Sequence, residues 1–232
     1  DALELHRKAL GIQISIRDAT GAARSYINMG YIFRRRRDTR HALEVYGNVE
    51  DLLNSEDGSG FSDARIRLAS AFIEMGELVR AREHSLVAYE ETKESGDDLL
   101  HARSRAVLGR LYAKDSDSDL ALLHYSAALE ILSSFNDPRS TVEIEMLLGQ
   151  VLLDAGKSGE AGEHYLNALA IAESNDYRML QGELLARLGE VEADRSQRMA
   201  YLQRSLSLFR DLGAVDRMRD VQNAVHRAVM GN

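Results

Sequence analysis

The chain has 232 residues, a formal charge of −8, a single proline, and neither cysteine nor tryptophan. With 44% hydrophobic and 28% charged residues it reads as a folded chain, and no apolar run approaches the roughly 20 residues of a bilayer-spanning helix. Disulfides and thiolate metal sites are excluded by composition. The acidic balance argues against nucleic acid as a partner, because the phosphate backbone is held by an excess of lysine and arginine. No Asn-x-Ser/Thr sequon is present, so the expected setting is cytoplasmic, with no membrane partner.

In chain order, residues 1–18 carry Leu3, Leu5, Leu10, Ile12, Ile14 and Ile16 at helical spacing, more apolar residues than one buried stripe accommodates. Residues 20–57, 60–96, 98–136, 138–175 and 177–212 each divide into two helical stretches of about 15 residues. Turn residues separate the two halves of a pair at Asp38, Gly76, Asp115–Asp119 and Gly156. Others separate the pairs, at Ser55–Gly60, Ser95–Asp98, Asn136–Pro138 and Ser174–Asp176. Residues 214–230 predict one amphipathic helix, with Val215, Met218, Val221, Val225 and Val229 spaced to cover the last hairpin. The expectation is twelve helices and no strand.

These pairs are copies of one unit. A bulky apolar residue followed by a small one recurs as Met29-Gly30, Leu68-Ala69, Leu108-Gly109, Leu148-Gly149 and Leu188-Gly189, at intervals of 39, 40, 40 and 40. Three residues after the first four small residues stand Phe33, Phe72, Tyr112 and Leu152, and twelve after them Ala42, Ala81, Ala121 and Ala161. At plus sixteen come Tyr46, Ser85, Tyr125 and Tyr165, and at plus nineteen Val49, Ala88, Ala128 and Ala168. Small residues where helices cross let the axes approach, and the aromatic fills the space beside them.

The Gly, aromatic, Ala and Ala positions of "NMGYIFRRRRDTRHALEVYGNV", "VLGRLYAKDSDSDLALLHYSAAL" and "LLGQVLLDAGKSGEAGEHYLNAL" resemble the tetratricopeptide repeat. The period near 40 is similar to the longer-helix variety found in kinesin light chains, G-protein-regulatory scaffolds and bacterial regulators. The resemblance covers essentially the whole chain. It implies an all-α, right-handed superhelical solenoid of helix-turn-helix repeats, and a binding function: a scaffold holding a protein or peptide segment in its concave groove. The alternative it implies is a ligand- or peptide-sensing input domain of a larger regulatory protein. No catalysis and no cofactor are expected.

Two departures stand out. In the fifth repeat Glu192 replaces the plus-three aromatic, and "RMAYLQRSLSLF" aligns only if the turn is about three residues shorter. The opening "DALELHRKALGIQ" matches the second half of a repeat, so residues 1–18 read as the second helix of a truncated repeat and residue 1 as a cut inside a longer protein. The apolar face left open there predicts self-association through the N-terminal end.

Several motifs fail as chemistry. Asp115, Asp117 and Asp119 open like an EF-hand loop, but Leu120 and Ser126 stand where Gly and Glu are needed; a capped turn is expected. Gly156-Lys157-Ser158 ends like a phosphate-binding loop without its first glycine or preceding strand. Arg34–Arg37 reads as a solvated basic turn. His84, His124 and His164, spaced by 40, occupy one column in successive hairpins, too far apart to share one metal ion.

Helical phase locates the expected groove. With the small residue at zero, its packing neighbours at minus one and plus three fall near −100° and −60°, whereas minus six, plus one and plus five fall between about 100° and 140°. The minus-six column is Arg24, Asp63, Arg103, Glu143 and Glu183; plus one is Tyr31, Ser70, Arg110, Gln150 and Glu190; plus five is Arg35, Glu74, Lys114, Asp154 and Asp194. With Asn28, these predict a groove that is basic in repeats one to three and acidic in four and five.

Overall fold

The computed structural model describes residues 1–55 and 61–230; the break expected at Ser55–Gly60 falls outside them, except for the backbone of Ser55 at the end of a helix. The described residues form twelve α-helices and no strand. They are α1 (Ala2–Ser15), α2 (Ala19–Arg35), α3 (Thr39–Ser55), α4 (Ser62–Met75), α5 (Leu78–Ser95), α6 (Asp98–Lys114), α7 (Ser118–Leu132), α8 (Pro138–Asp154), α9 (Ser158–Ser174), α10 (Arg178–Val191), α11 (Arg195–Asp211) and α12 (Val215–Met230). The chain divides into two compact units, residues 1–115 with α1 to α6, and residues 116–232 with α7 to α12.

One kind of joint recurs. The helix ends on a residue in the left-handed region, and the next backbone N–H reaches back to the carbonyl five residues earlier. Asp18 bonds Gln13 in this way, Asp38 bonds Phe33, Glu77 bonds Phe72, Lys157 bonds Leu152 and Tyr177 bonds Ala172, all at 2.8–2.9 Å. This closes orphan carbonyls that the helix end would otherwise leave open. Glycine fills the left-handed position at Gly76, Gly96, Gly156 and Gly213, but Arg17, Arg37, Ser116 and Asp176 adopt it without glycine. Aspartate then starts the next helix. Asp18, Asp97, Asp117, Asp137 and Asp194 accept from the backbone N–H three residues on, at 2.8–3.1 Å, each cap worth about 1 kcal/mol.

In the first unit α2 pairs with α3 and α4 with α5, while α2, α4 and α6 pack in succession. A Cβ on Gly30 would collide with the ring of Tyr46, so only glycine lets α2 and α3 approach over that ring. The second hairpin carries Ala69 and Ser85 at these two places, both buried: the side that gains a methyl loses the ring. Phe72 is fully buried between Arg80, whose guanidinium lies 4.1 Å from the ring centroid, and His84, stacked at 5.8 Å. Between α5 and α6 runs a polar seam. Arg105 Nε donates to His101 Nε2 at 3.1 Å, His101 Nδ1 lies 3.2 Å from Thr92 Oγ1, and the Thr92 and Ser104 hydroxyls meet at 2.8 Å. Because arginine only donates, Nε2 accepts and His101 is neutral with its proton on Nδ1.

In the second unit α8 pairs with α9 and α10 with α11. Gly149 faces the Tyr165 ring as Gly30 faces Tyr46, and Gly182 faces Phe209. The fifth repeat departs where the shortened turn was expected. From its small residue, Gly189, to the start of α11 is six residues, against nine from Gly149 to α9. Glu192 and Asp194 are extended instead of helical. Arg198 donates to the Glu192 carbonyl at 2.9 and 2.7 Å, covering the end of α10. Leu202 thereby takes the aromatic's place, 2.7 Å at Cγ from where a Gly189 Cβ would stand. Helix α12 covers the last hairpin with Val221 against Leu202 and Phe209, flanked by Met218 and Val225.

Candidate binding face

Burying the small residue and its neighbours against the second helix turns the opposite side of each first helix to solvent. In the first unit Arg24, Tyr31 and Arg35 on α2, and Arg103 and Lys114 on α6, are exposed; Asn28 and Arg110 are half-buried. The upper ends of α2, α4 and α6 enclose a cleft of about 390 Å³ with Arg24, Arg67 and Arg103 on its walls and Ile27, Ala64 and Leu100 below. Asp63 stands among the arginines, 2.7 Å from Arg67 Nε and 4.0 Å from Arg103 Nη1. Asp97, also on the wall, is engaged as the cap of α6. Arg24 has no ion-pair partner among the described residues. Toward the other end of these helices Glu74 is shared by Arg34 and Arg110, the latter at 3.1 Å, and the Arg34 guanidinium lies 5.7 Å from the Tyr31 ring centroid.

The acidic positions of the second unit are each engaged. Glu143 pairs with Arg139 at 3.2 Å, Glu190 with Arg187 at 3.4 Å and Glu183 with Arg217 of α12 at 2.9 Å, while Asp154 accepts from Gln150 at 2.7 Å. Asp194 is a correction to the phase argument. Helix α10 ends at Val191, so no helical phase extends to Asp194, whose carboxylate caps α11 by accepting from Gln197 at 2.8 Å.

The columns overlooked arginines. Arg67 and Arg187 stand two residues before the small residue, near 160° in phase, and that position could have been read outward like its neighbours. Arg139 is one turn before Glu143. Arg217 had no signal, since only packing of α12 brings it to Glu183.

The remaining motifs have local partners. Asp117 caps α7 and Asp115 pairs with Arg82. Gly156 is a left-handed helix end, and Lys157 lies 3.6 Å from Glu160. In the basic turn, Arg36 lies 3.3 Å from Asp1. His84 Nε2 is 3.0 Å from Glu50, and His164 Nδ1 is 2.6 Å from Glu145. Burial would raise the Glu50 carboxyl, but hydrogen bonds from Arg80 and His84 outweigh it and hold it below the ordinary range. No described helix is long and apolar enough to cross a membrane.

The hairpins, their glycine-on-tyrosine crossings and their capped joints define a tetratricopeptide-like helical-repeat fold. Solved structures agree. The chain is similar to a signal transduction ATPase with numerous domains and a tetratricopeptide repeat sensor from Pyrococcus horikoshii, with TM-score 0.77 and 16% identity over 96% of this chain and 34% of that one. It therefore spans about a third of that protein's length. It also resembles a Rap protein complexed with competence and sporulation factor, with TM-score 0.68 and 12% identity over 99% of this chain and 76% of that one. A third likeness is to the tetratricopeptide-like repeats of a Podospora anserina kinesin light chain, with TM-score 0.62 and 15% identity over 88% and 96%. No family model and no curated protein sequence matches the chain.

Proposed function

We propose that this chain is a non-catalytic protein- or peptide-binding module that holds its ligand on the outward faces of its first helices. The observation that carries the reading is the set of charged side chains on α2, α4 and α6 that packing does not use, Arg24, Arg103 and Lys114 among them. A surface that served only solubility would intersperse both signs without enclosing a cleft. Glu143, Asp154, Glu183 and Glu190 of the second unit are engaged by arginines and by Gln150, whereas Arg24 of the first unit has no ion-pair partner among the described residues, so the charge preference of a ligand is set by the first unit. Selection from a random peptide library tests this. Binders should be recovered, and Arg103→Glu with Arg110→Glu should lose them while the protein stays folded, because neither side chain belongs to the packing face. Binders indifferent to both substitutions and to salt would move the site elsewhere.

A second reading is a sensory input domain, favoured by the description of the repeat segment in the Pyrococcus horikoshii neighbour as a sensor. The parent gene discriminates: a cyclase, kinase or DNA-binding segment encoded beside residues 1–232 would favour it.

A further inference from the structure

We infer that the cleft between α2, α4 and α6 is an anion clamp for an extended acidic peptide segment, with Asp63 as a built-in competitor that the ligand's carboxylates displace. This rests on the peptide-binding reading above and names its ligand class. The cleft of about 390 Å³ is bordered by three guanidinium groups from three successive helices. Its three arginines face two carboxylates: Asp97, which accepts the Leu100 N–H as the cap of α6, and Asp63, which lies at hydrogen-bonding distance from Arg67 but at 4.0 Å from Arg103, while Arg24 has no ion-pair partner among the described residues. Guanidinium groups so placed favour planar oxyanions, which they grip through paired N–H donors.

The floor narrows the choice. Ile27 is 7% and Ala64 7% exposed, and Leu100 is half-buried, so the bottom of the cleft offers apolar contact while the walls offer charge. A small free anion uses only the walls. A peptide uses both, its carboxylates on the arginines and the chain between them on the floor. Spacing gives a motif: packed helices lie about 8–10 Å apart, and a chain in the polyproline II conformation advances about 3.1 Å per residue with three residues per turn, so acidic residues three apart stand on one face and meet neighbouring first helices. The ligand is a segment with Asp or Glu near positions i, i+3 and i+6.

The Asp63 carboxylate occupies the place a ligand carboxylate would take between Arg67 and Arg103. Removing it therefore frees cations, and the substitution that abolishes an ion pair strengthens binding. A merely solvated surface predicts no such sign.

The full chain should be titrated by fluorescence anisotropy with three labelled nonapeptides bearing Asp, Asn or Lys at positions 1, 4 and 7 on a common Ala/Ser background. The Asp peptide should bind at least about tenfold more tightly than the Asn peptide, the effect expected of charge-assisted hydrogen bonds, and the Lys peptide should not bind. Arg24→Gln and Arg103→Gln should each weaken the Asp peptide about tenfold, while Asp63→Asn should tighten it severalfold. Circular dichroism melts confirm that each variant is folded, and Arg67→Gln gives a second arm should Asp63→Asn unfold. Equal binding of the Asp and Asn peptides, or indifference to Arg24→Gln and Asp63→Asn, would overturn the inference. So would succinate displacing the Asp peptide at the peptide's own concentration, which would mark a small-anion site. Library binders without acidic enrichment would sink this inference alone, whereas failure to recover any binder would sink the broader reading.

Discussion

Gly149 and Tyr165 allow the close helix crossing to be tested as a pair. In Gly149→Ala the new Cβ would stand 2.8 Å from Tyr165 Cδ1 and 2.9 Å from Cζ, and nearer still to Cε1. Tyr165 is 0% exposed, so its ring has nowhere to swing, and the strain belongs at the upper end of overpacking costs, about 3 kcal/mol. Alanine returns about 1 kcal/mol as the better helix former, leaving a net loss of roughly 2 kcal/mol. In a Tyr165→Ser background the ring is gone, the crossing resembles that of Ala69 and Ser85, and the same Gly149→Ala change should stabilise by about 1 kcal/mol. The coupling in the double-mutant cycle is therefore about 3 kcal/mol. Urea unfolding of the four proteins, followed by both far-ultraviolet circular dichroism and tyrosine fluorescence to check that one transition is seen, measures it. A Gly149→Ala effect of the same sign and size in both backgrounds would refute the account of the repeat's glycine.

Three further expectations concern other features. The Tyr165 hydroxyl is buried with no hydrogen-bond partner among the described residues, and burial pushes its pKa up to about 12; Tyr165→Phe should leave the unfolding midpoint unchanged or raise it, and a loss of more than about 1 kcal/mol would mean that the hydroxyl is satisfied. Burial, then the Arg105 cation, lowers the His101 pKa, with Lys93 acting in the same direction and Asp98 and Glu90 opposing. The unfolded chain therefore takes up the proton first, and stability should fall as pH drops below about 6.5 toward the lower folded value. His101→Gln should flatten that part of the stability curve, and an unchanged slope would discount the seam. Finally, Leu5 and Ile12 of α1 are 68% and 62% exposed and lie about 20° apart around the helix, and Ile16, just past its end, is 66% exposed. Sedimentation should show concentration-dependent association that Leu5→Gln with Ile12→Gln removes, whereas a monomer at millimolar concentration would count against it.

Much of the architecture was legible because it is encoded locally. The three- and four-residue periodicity sets each helix, and an offset of sixteen residues, repeated at a spacing near 40, places Gly30 over Tyr46 and Gly149 over Tyr165. The shortened fifth turn followed from counting, since "RMAYLQRSLSLF" can meet Gly189 only through Leu202. The left-handed residues at Arg17 and Arg37 were not legible. An unbranched residue such as arginine is tolerated there at a cost of about 1–2 kcal/mol, and neighbouring aspartates carried the turn signal instead.

Helical phase, an intrinsic property of the chain, determined which side of each first helix turns outward as far as the helix continues, and it failed at Asp194 where α10 stops. Charge compensation between helices was decided by the tertiary structure alone. Arg217 meets Glu183 and Arg110 meets Glu74 across separations of more than thirty residues, and Asp63 comes to stand among three arginines because α2, α4 and α6 pack side by side. Ion pairing depends on side-chain distances of a few ångströms, which column positions do not specify until the helices are docked.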